Sequence, residues 1–162
     1  MDMELQQGLL VRNSMSSERI ELHLQAENAD AVLCELVSLI PEIKNNSRLS
    51  ETLLNALRER ESLCSTAYGD GVAFPHCRNA LVGLVNKPLV VFGRHEAGVP
   101  FGAVDCMPAK LFFLVLAPTV SLHLQVLARL SRMVRDPRVR QILLKAQTVQ
   151  EILDTIEEAE KR

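Results

Sequence analysis

The chain has 162 residues, of which 48% are hydrophobic and 23% charged, an ordinary balance for one globular domain with a real core. Eighteen basic against twenty acidic residues give a formal net charge of −2, with no basic footprint for a phosphate backbone, so nucleic acid is not an expected partner. The longest apolar run, Leu111 to Pro118, is far short of the ~20 residues of a spanning helix. The start Met1-Asp2-Met3-Glu4 lacks the basic-then-apolar profile of a secretory signal, so a cytoplasmic protein without membrane insertion is expected.

Residues 1 to 18 are polar and Ser-rich and read as an N-terminal extension. From Arg19 to Ala26 apolar residues alternate with period two, which predicts a half-buried strand. Asn28 or Asp30 can cap a helix with the inward stripe Val32, Leu33, Leu36, Val37 and Ile40, limited by Pro41. A second helix is predicted from about Ser50 to Glu61, with Leu53, Leu54 and Leu57 inward and Arg60 and Glu61 at its end. Strands are expected at Leu81 to Val85 and at Pro88 to Phe92, the second running on toward His95, followed by a turn-rich link from Gly98 to Gly102. Lys110 to Ala117 is short and apolar on both faces, the pattern of a central strand. Helices follow at about 121 to 135, at 138 to 146 after Asp136-Pro137, and from Val149 to Glu158 with Thr148 as cap. The order implies a single α/β (α+β) domain over residues 19 to 160, a mixed β-sheet sandwiched between helical layers.

Cys34, Cys64, Cys77 and Cys106 are widely spaced without a C-x-x-C pair, so reduced thiols are expected. Cys34 and Cys106 read as small buried hydrophobes. Cys77 stands apart because it follows a histidine directly.

That histidine, His76, ends a Gly- and Pro-punctuated run, Ser65-Thr66-Ala67-Tyr68-Gly69-Asp70-Gly71-Val72-Ala73-Phe74-Pro75-His76, between two apolar segments. A neutral imidazole presented there can act as a nucleophile near pH 7, one nitrogen reacting while the other is held by a hydrogen bond. On the wheel of the 121 to 135 helix, His123 falls on the apolar arc of Leu122, Val126, Leu127, Leu130, Met133 and Val134. A histidine on such an arc is ordinarily a satisfied core residue. Its position in the first turn after a buried strand ending at Ala117-Pro118 is, however, where α/β folds assemble anion sites.

These parts suit a phosphoryl acceptor. His76 would supply the nucleophile, His123 a hydrogen bond to the phosphoryl oxygens, and Arg60 or Arg78 a compensating charge, with backbone N–H groups around Gly69 and Gly71 cradling the oxygens. No metal or other cofactor is required, and without a G-x-x-x-x-G-K-[ST] segment the phosphate must come from another protein. The rivals have less behind them: a hydrolase triad of Ser65 or Ser121 with His76 lacks a G-x-S-x-G elbow, and a zinc site lacks close-spaced ligands. A Cys77 or Cys64 nucleophile with His123 stays open, although adjacent His76 and Cys77 side chains in an extended segment point to opposite faces.

From Ile20 to Glu158 the sequence resembles the EIIA domains of the phosphoenolpyruvate-dependent phosphotransferase system, in the fructose/mannitol class and its nitrogen-regulatory relatives. The resemblance rests on Arg60-Glu61, Ser65-Thr66, Gly69-Asp70-Gly71-Val72-Ala73-Phe74-Pro75-His76, Asp105, the strand Leu111 to Pro118, and His123-Leu124. It implies a mixed sheet between helical layers and a phosphoryl-transfer component in which His76 accepts phosphate from an Nπ-phosphohistidine on an HPr-like carrier. Arg60 and His123 would line the phosphoryl site, with Ser65, Thr66, Gly69, Gly71 and Arg78 around it. The implied partners are that carrier and then an EIIB domain or a regulatory target. No segment here resembles EIIB, EIIC or HPr, which favours the regulatory use, and self-association is left open. The alternative is a non-phosphorylated interaction module of the same fold. Tyr68 and Cys77 depart from the family pattern of small residues, which bears on the docking surface, and Cys77 raises the idea of oxidation-sensitive transfer.

Overall fold

The computed structural model describes residues 10–77 and 84–162, so Arg78 and most of the strand predicted at Leu81 to Val85 lie outside the described residues. Among the described residues, five strands form one mixed sheet: β1 (Ile20–Glu21), β2 (Ala67–Gly69), β3 (Val72–Ala73), β4 (Leu89–Val99) and β5 (Ala109–Leu116). Their order is β1-β4-β5-β3-β2. β5 is central, antiparallel to β4 and parallel to β3 through Val72↔Leu111 and Ala73↔Phe112. Its side chains explain that position: Leu111, Phe113 and Val115 enter one apolar cluster and Phe112, Leu114 and Leu116 another, as a strand covered on both faces requires.

Helices α1 (Ala29–Val37), α2 (Pro41–Lys44) and α3 (Ser47–Leu63) precede the β2–β3 hairpin, and α1 and α3 cover the face of Phe112. The face of Phe113 is covered by α4 (Val120–Val134), α5 (Pro137–Lys145) and α6 (Val149–Glu160). Side-chain oxygens of Asn28, Asn46, Thr119, Asp136 and Thr148 each accept an N–H of the first turn they precede. Each such cap contributes about 1 kcal/mol to its helix. Asn28 takes the cap of α1, and Asp30 instead meets Arg58 on α3 at 2.7 Å.

Local departures from the sequence reading have physical reasons. Period-two burial continues from Ile20 to Ala26, but ladder pairing is confined to β1; beyond it the Leu24 N–H still donates to the Arg94 carbonyl at 2.9 Å. Gly93 lets this edge close, since a Cβ there would lie 2.7 Å from Leu36 and 2.8 Å from Leu24. Pro41 ends one helix but, at a first-turn position, also opens the short α2. The glycine run folds as the β2–β3 hairpin, turning through positive φ at Gly69, Asp70 and Gly71.

The described part of the predicted N-terminal extension is packed onto the domain. Val11 and Met15 are buried in the Phe113 cluster, and the Glu160 carboxylate accepts the N–H groups of Val11 at 2.7 Å and Arg12 at 2.8 Å. Of the two cysteines expected inside, Cys34 is half-buried and Cys106 is exposed. Cys106 lies in a turn closed by its N–H on the Ala103 carbonyl, with a φ of 62°.

Candidate functional site

His76 stands where β3, after Ala73, runs on as a bridge to Val115 near the end of β5. The Pro75 carbonyl accepts the Val115 N–H at 3.0 Å, and on the other side the Phe74 N–H donates to the Thr66 carbonyl at 3.0 Å. Proline cannot donate there and restricts Phe74 to extended conformations, which suits a strand that stops making two-sided pairs. The Phe74 carbonyl lies 2.7 Å from His76 Nδ1. Nδ1 therefore carries the proton and donates, and the lone pair falls to Nε2.

Only Ala117 to Thr119 separate the end of β5 from α4, so the first turn of α4 is set beside the same sheet edge. His123, in that turn and 7% exposed, meets His76 edge to face, with ring centroids 5.1 Å apart and planes at 88°. Its Nε2 is buried without a hydrogen-bond partner among the described residues. An orphaned buried nitrogen is destabilising unless a ligand satisfies it. Burial and the neighbouring His76 push the His123 imidazole down to about 4. His76 is also lowered by burial, opposed by the Phe74 bond and reinforced by the charge of Arg60. Both rings are thus neutral near pH 7.

Arg60 lies in the last turn of α3, held by Nη1 on the Cys64 carbonyl at 2.5 Å, close enough for its charge to act on His76. The other predicted site residues are placed differently. The Ser65 hydroxyl donates to the Phe101 carbonyl and accepts the Ala67 N–H at 2.9 Å, and the buried Thr66 hydroxyl donates to Glu61. Both hydroxyl protons are therefore committed within the protein. Gly69 and Gly71 are at the opposite end of the register: the Gly71 carbonyl accepts Leu111 N–H, whereas His76 aligns with Val115. Four residues of strand amount to about 13 Å, so the structure does not bring these glycines to the histidine. Their positive φ values serve the hairpin turn, and a Cβ on Gly69 would sit 3.3 Å from Asp105, whose carboxylate accepts the Asp70 N–H.

Two contributors were not singled out as site residues from sequence: the Phe74 carbonyl, which no side-chain pattern reports, and Glu61, half-buried beneath Thr66. Cys77 turns away from His76 into the Phe112 cluster, and burial pushes its thiol up to about 12. That removes the basis for oxidation-sensitive transfer at this residue. On the helix that carries His123, Val120 and Leu124 are each more than half exposed. Among the described residues no helix is long and apolar enough to cross a membrane, and no His/Cys/Asp/Glu group is arranged for a metal ion.

The site lies in a mixed sheet between helical layers, with two imidazoles meeting near the end of its central strand, and family comparison assigns the domain to the phosphotransferase-system class. Residues 13–159 match the model of the phosphoenolpyruvate-dependent sugar phosphotransferase system EIIA 2 family, and the chain belongs to that family. It is 39% identical over 110 residues to a fructose-specific EIIA component of the same system from Haloferax volcanii, covering 67% of this chain and 70% of that one. It is 32% identical over 150 residues to the fructose-specific EIIABC component of Bacillus subtilis, covering 91% of this chain but only 23% of that longer protein. In structure it is similar to the nitrogen regulatory protein IIA-Ntr of Neisseria meningitidis, with a TM-score of 0.80, 27% identity, and coverage of 91% of this chain and 99% of that one.

Proposed function

We propose that this protein is a phosphohistidine carrier in which His76 Nε2 accepts a phosphoryl group from a phosphohistidine on an HPr-like protein. The lone pair of Nε2 attacks phosphorus, the new N–P bond forms as the donor's N–P bond breaks, and the donor imidazole leaves with that electron pair. Nδ1 keeps its proton throughout, donating it to the Phe74 carbonyl, and that carbonyl supports the positive charge that develops on the ring. His123 Nε2–H and the Arg60 guanidinium stabilise the equatorial oxygens. Val120 and Leu124, exposed on the helix that carries His123, offer a partner protein apolar contacts beside that histidine.

The observation that carries this reading is the edge-to-face meeting of the His76 ring, whose Nδ1 is held by the Phe74 carbonyl, with the His123 ring, whose buried Nε2 has no hydrogen-bond partner among the described residues. Onward transfer goes to an EIIB domain or serves as a regulatory signal; the relatives include proteins named for both fructose transport and nitrogen regulation. Incubation with phosphoenolpyruvate, enzyme I and HPr, followed by mass spectrometry at neutral or alkaline pH, tests it. Label is expected on His76 and absent from His76→Ala; a wild-type protein that stays unlabelled, yet still binds a partner, would identify an interaction module of the same fold.

A further inference from the structure

Glu61 sits at the end of α3, and both of its oxygens are spent on one residue: Oε2 accepts the Thr66 N–H at 3.0 Å and Oε1 the Thr66 hydroxyl. Among the described residues it forms no salt bridge, although the charge of its neighbour Arg60 acts on it as it does on His76. Burial raises its pKa against the pull of those two bonds, which marks a carboxylate kept in a costly place.

What Thr66 does next gives the carboxylate a purpose. The Thr66 carbonyl accepts the Phe74 N–H at 3.0 Å, and the Phe74 carbonyl accepts His76 Nδ1–H at 2.7 Å. The hairpin ladder is only two pairs long, Ala67↔Ala73 and Gly69↔Val72, so the Thr66–Phe74 bond is its last rung toward the histidine. Pro75 offers no N–H to prolong it. On this side the residue Phe74 is placed by Thr66 through its N–H, which sets where its carbonyl can stand, and Thr66 is held by Glu61.

We propose that Glu61 is a positioning residue whose carboxylate, acting through Thr66 and Phe74, fixes the ring tautomer of His76 with the proton on Nδ1 and the lone pair on Nε2. The proposal rests on the phosphoryl-acceptor reading for its use, but the tautomer itself is observable without any phosphate. Long-range proton–nitrogen NMR of the neutral imidazole in the intact protein distinguishes the protonated from the lone-pair nitrogen. Wild type is expected to show protonated Nδ1. Glu61→Ala, which strands the Thr66 N–H and hydroxyl, should shift His76 toward a mixture of tautomers and slow labelling by about tenfold or more. Glu61→Gln, whose amide can accept from the Thr66 N–H and donate to its hydroxyl oxygen, should restore both signals. Thr66→Val, which keeps the main chain but removes the hydroxyl, should give an intermediate tautomer shift, and it serves if Glu61→Ala does not fold. An unchanged Nδ1–H tautomer in either folded variant overturns the proposal. Label found on another residue while the tautomer still responds to Glu61 would overturn the acceptor reading and leave this one standing.

Discussion

The imidazoles of His76 and His123, separated by 47 positions in sequence, stand 5.1 Å apart with their planes at 88°. The first is fixed by a backbone carbonyl, and the second has a buried nitrogen with nothing to bond. If that nitrogen serves the phosphoryl group, His123→Ala should slow labelling of His76 by about 100- to 1,000-fold, the range for loss of one oriented donor, without moving the label elsewhere. Rapid-quench labelling from phosphorylated HPr measures the rate, and an unchanged rate would remove His123 from the site.

The same burial makes a statement about acid stability. His123 is lowered from 6.5 to about 4, so as pH falls the unfolded chain takes up this proton before the folded one does. Its contribution is complete above pH 6.5, is lost progressively between 6.5 and about 4, and is level below that. The loss is of order 3 kcal/mol. Urea unfolding at pH 7 and at pH 4 should show wild type losing more stability than His123→Gln by about that amount; equal losses would mean the ring is more solvated than its surroundings indicate.

Thiol chemistry should follow burial and not proximity to His76. With its pKa at about 12, Cys77 is thiolate to about one part in 10⁵ at pH 7, while Cys64 and Cys106 are exposed. Ellman's reagent on the folded protein should react promptly at Cys64 and Cys106 and spare Cys77 until denaturant is added. Prompt modification of Cys77, read by peptide mapping, would contradict its place in the core.

Glu160 is expected to matter well beyond the surface norm. Its side chain is 4% exposed and accepts two main-chain N–H groups, from Val11 and Arg12. Glu160→Ala should cost about 2 to 4 kcal/mol in urea unfolding, because both donors lose their partner. Amide exchange at Val11 should rise in parallel; a loss under 0.5 kcal/mol would show that the segment is held by its apolar contacts alone.

Much of the fold was written in local patterns. The two-sided apolar run of β5, the stripe of α4 and the capping residue Thr148 act within a few positions of themselves, and a linear reading recovers them. His76 was marked by its turn and proline context, and His123 by its place after a buried strand. What stayed hidden depends on partners far along the chain. Residues 11 to 15 look polar and detachable until Glu160 and the Phe113 cluster are brought against them. Ser65 and Thr66 look like free hydroxyls until Phe101 and Glu61 claim them. Gly69 and Gly71 look like a phosphate cradle because a sequence lists them beside His76, whereas the strand carries them toward its other end.

The clasp between Glu160 and the amides of Val11 and Arg12 also sets a schedule for biosynthesis. A ribosome translating this message emits Val11 about 150 residues before the acid that receives it, so the turn that carries it must wait for its acceptor until residue 160 has emerged. Closure of that turn is for that reason a late event in the life of the nascent chain, and truncation just before residue 160 would leave the amides of Val11 and Arg12 without their acceptor.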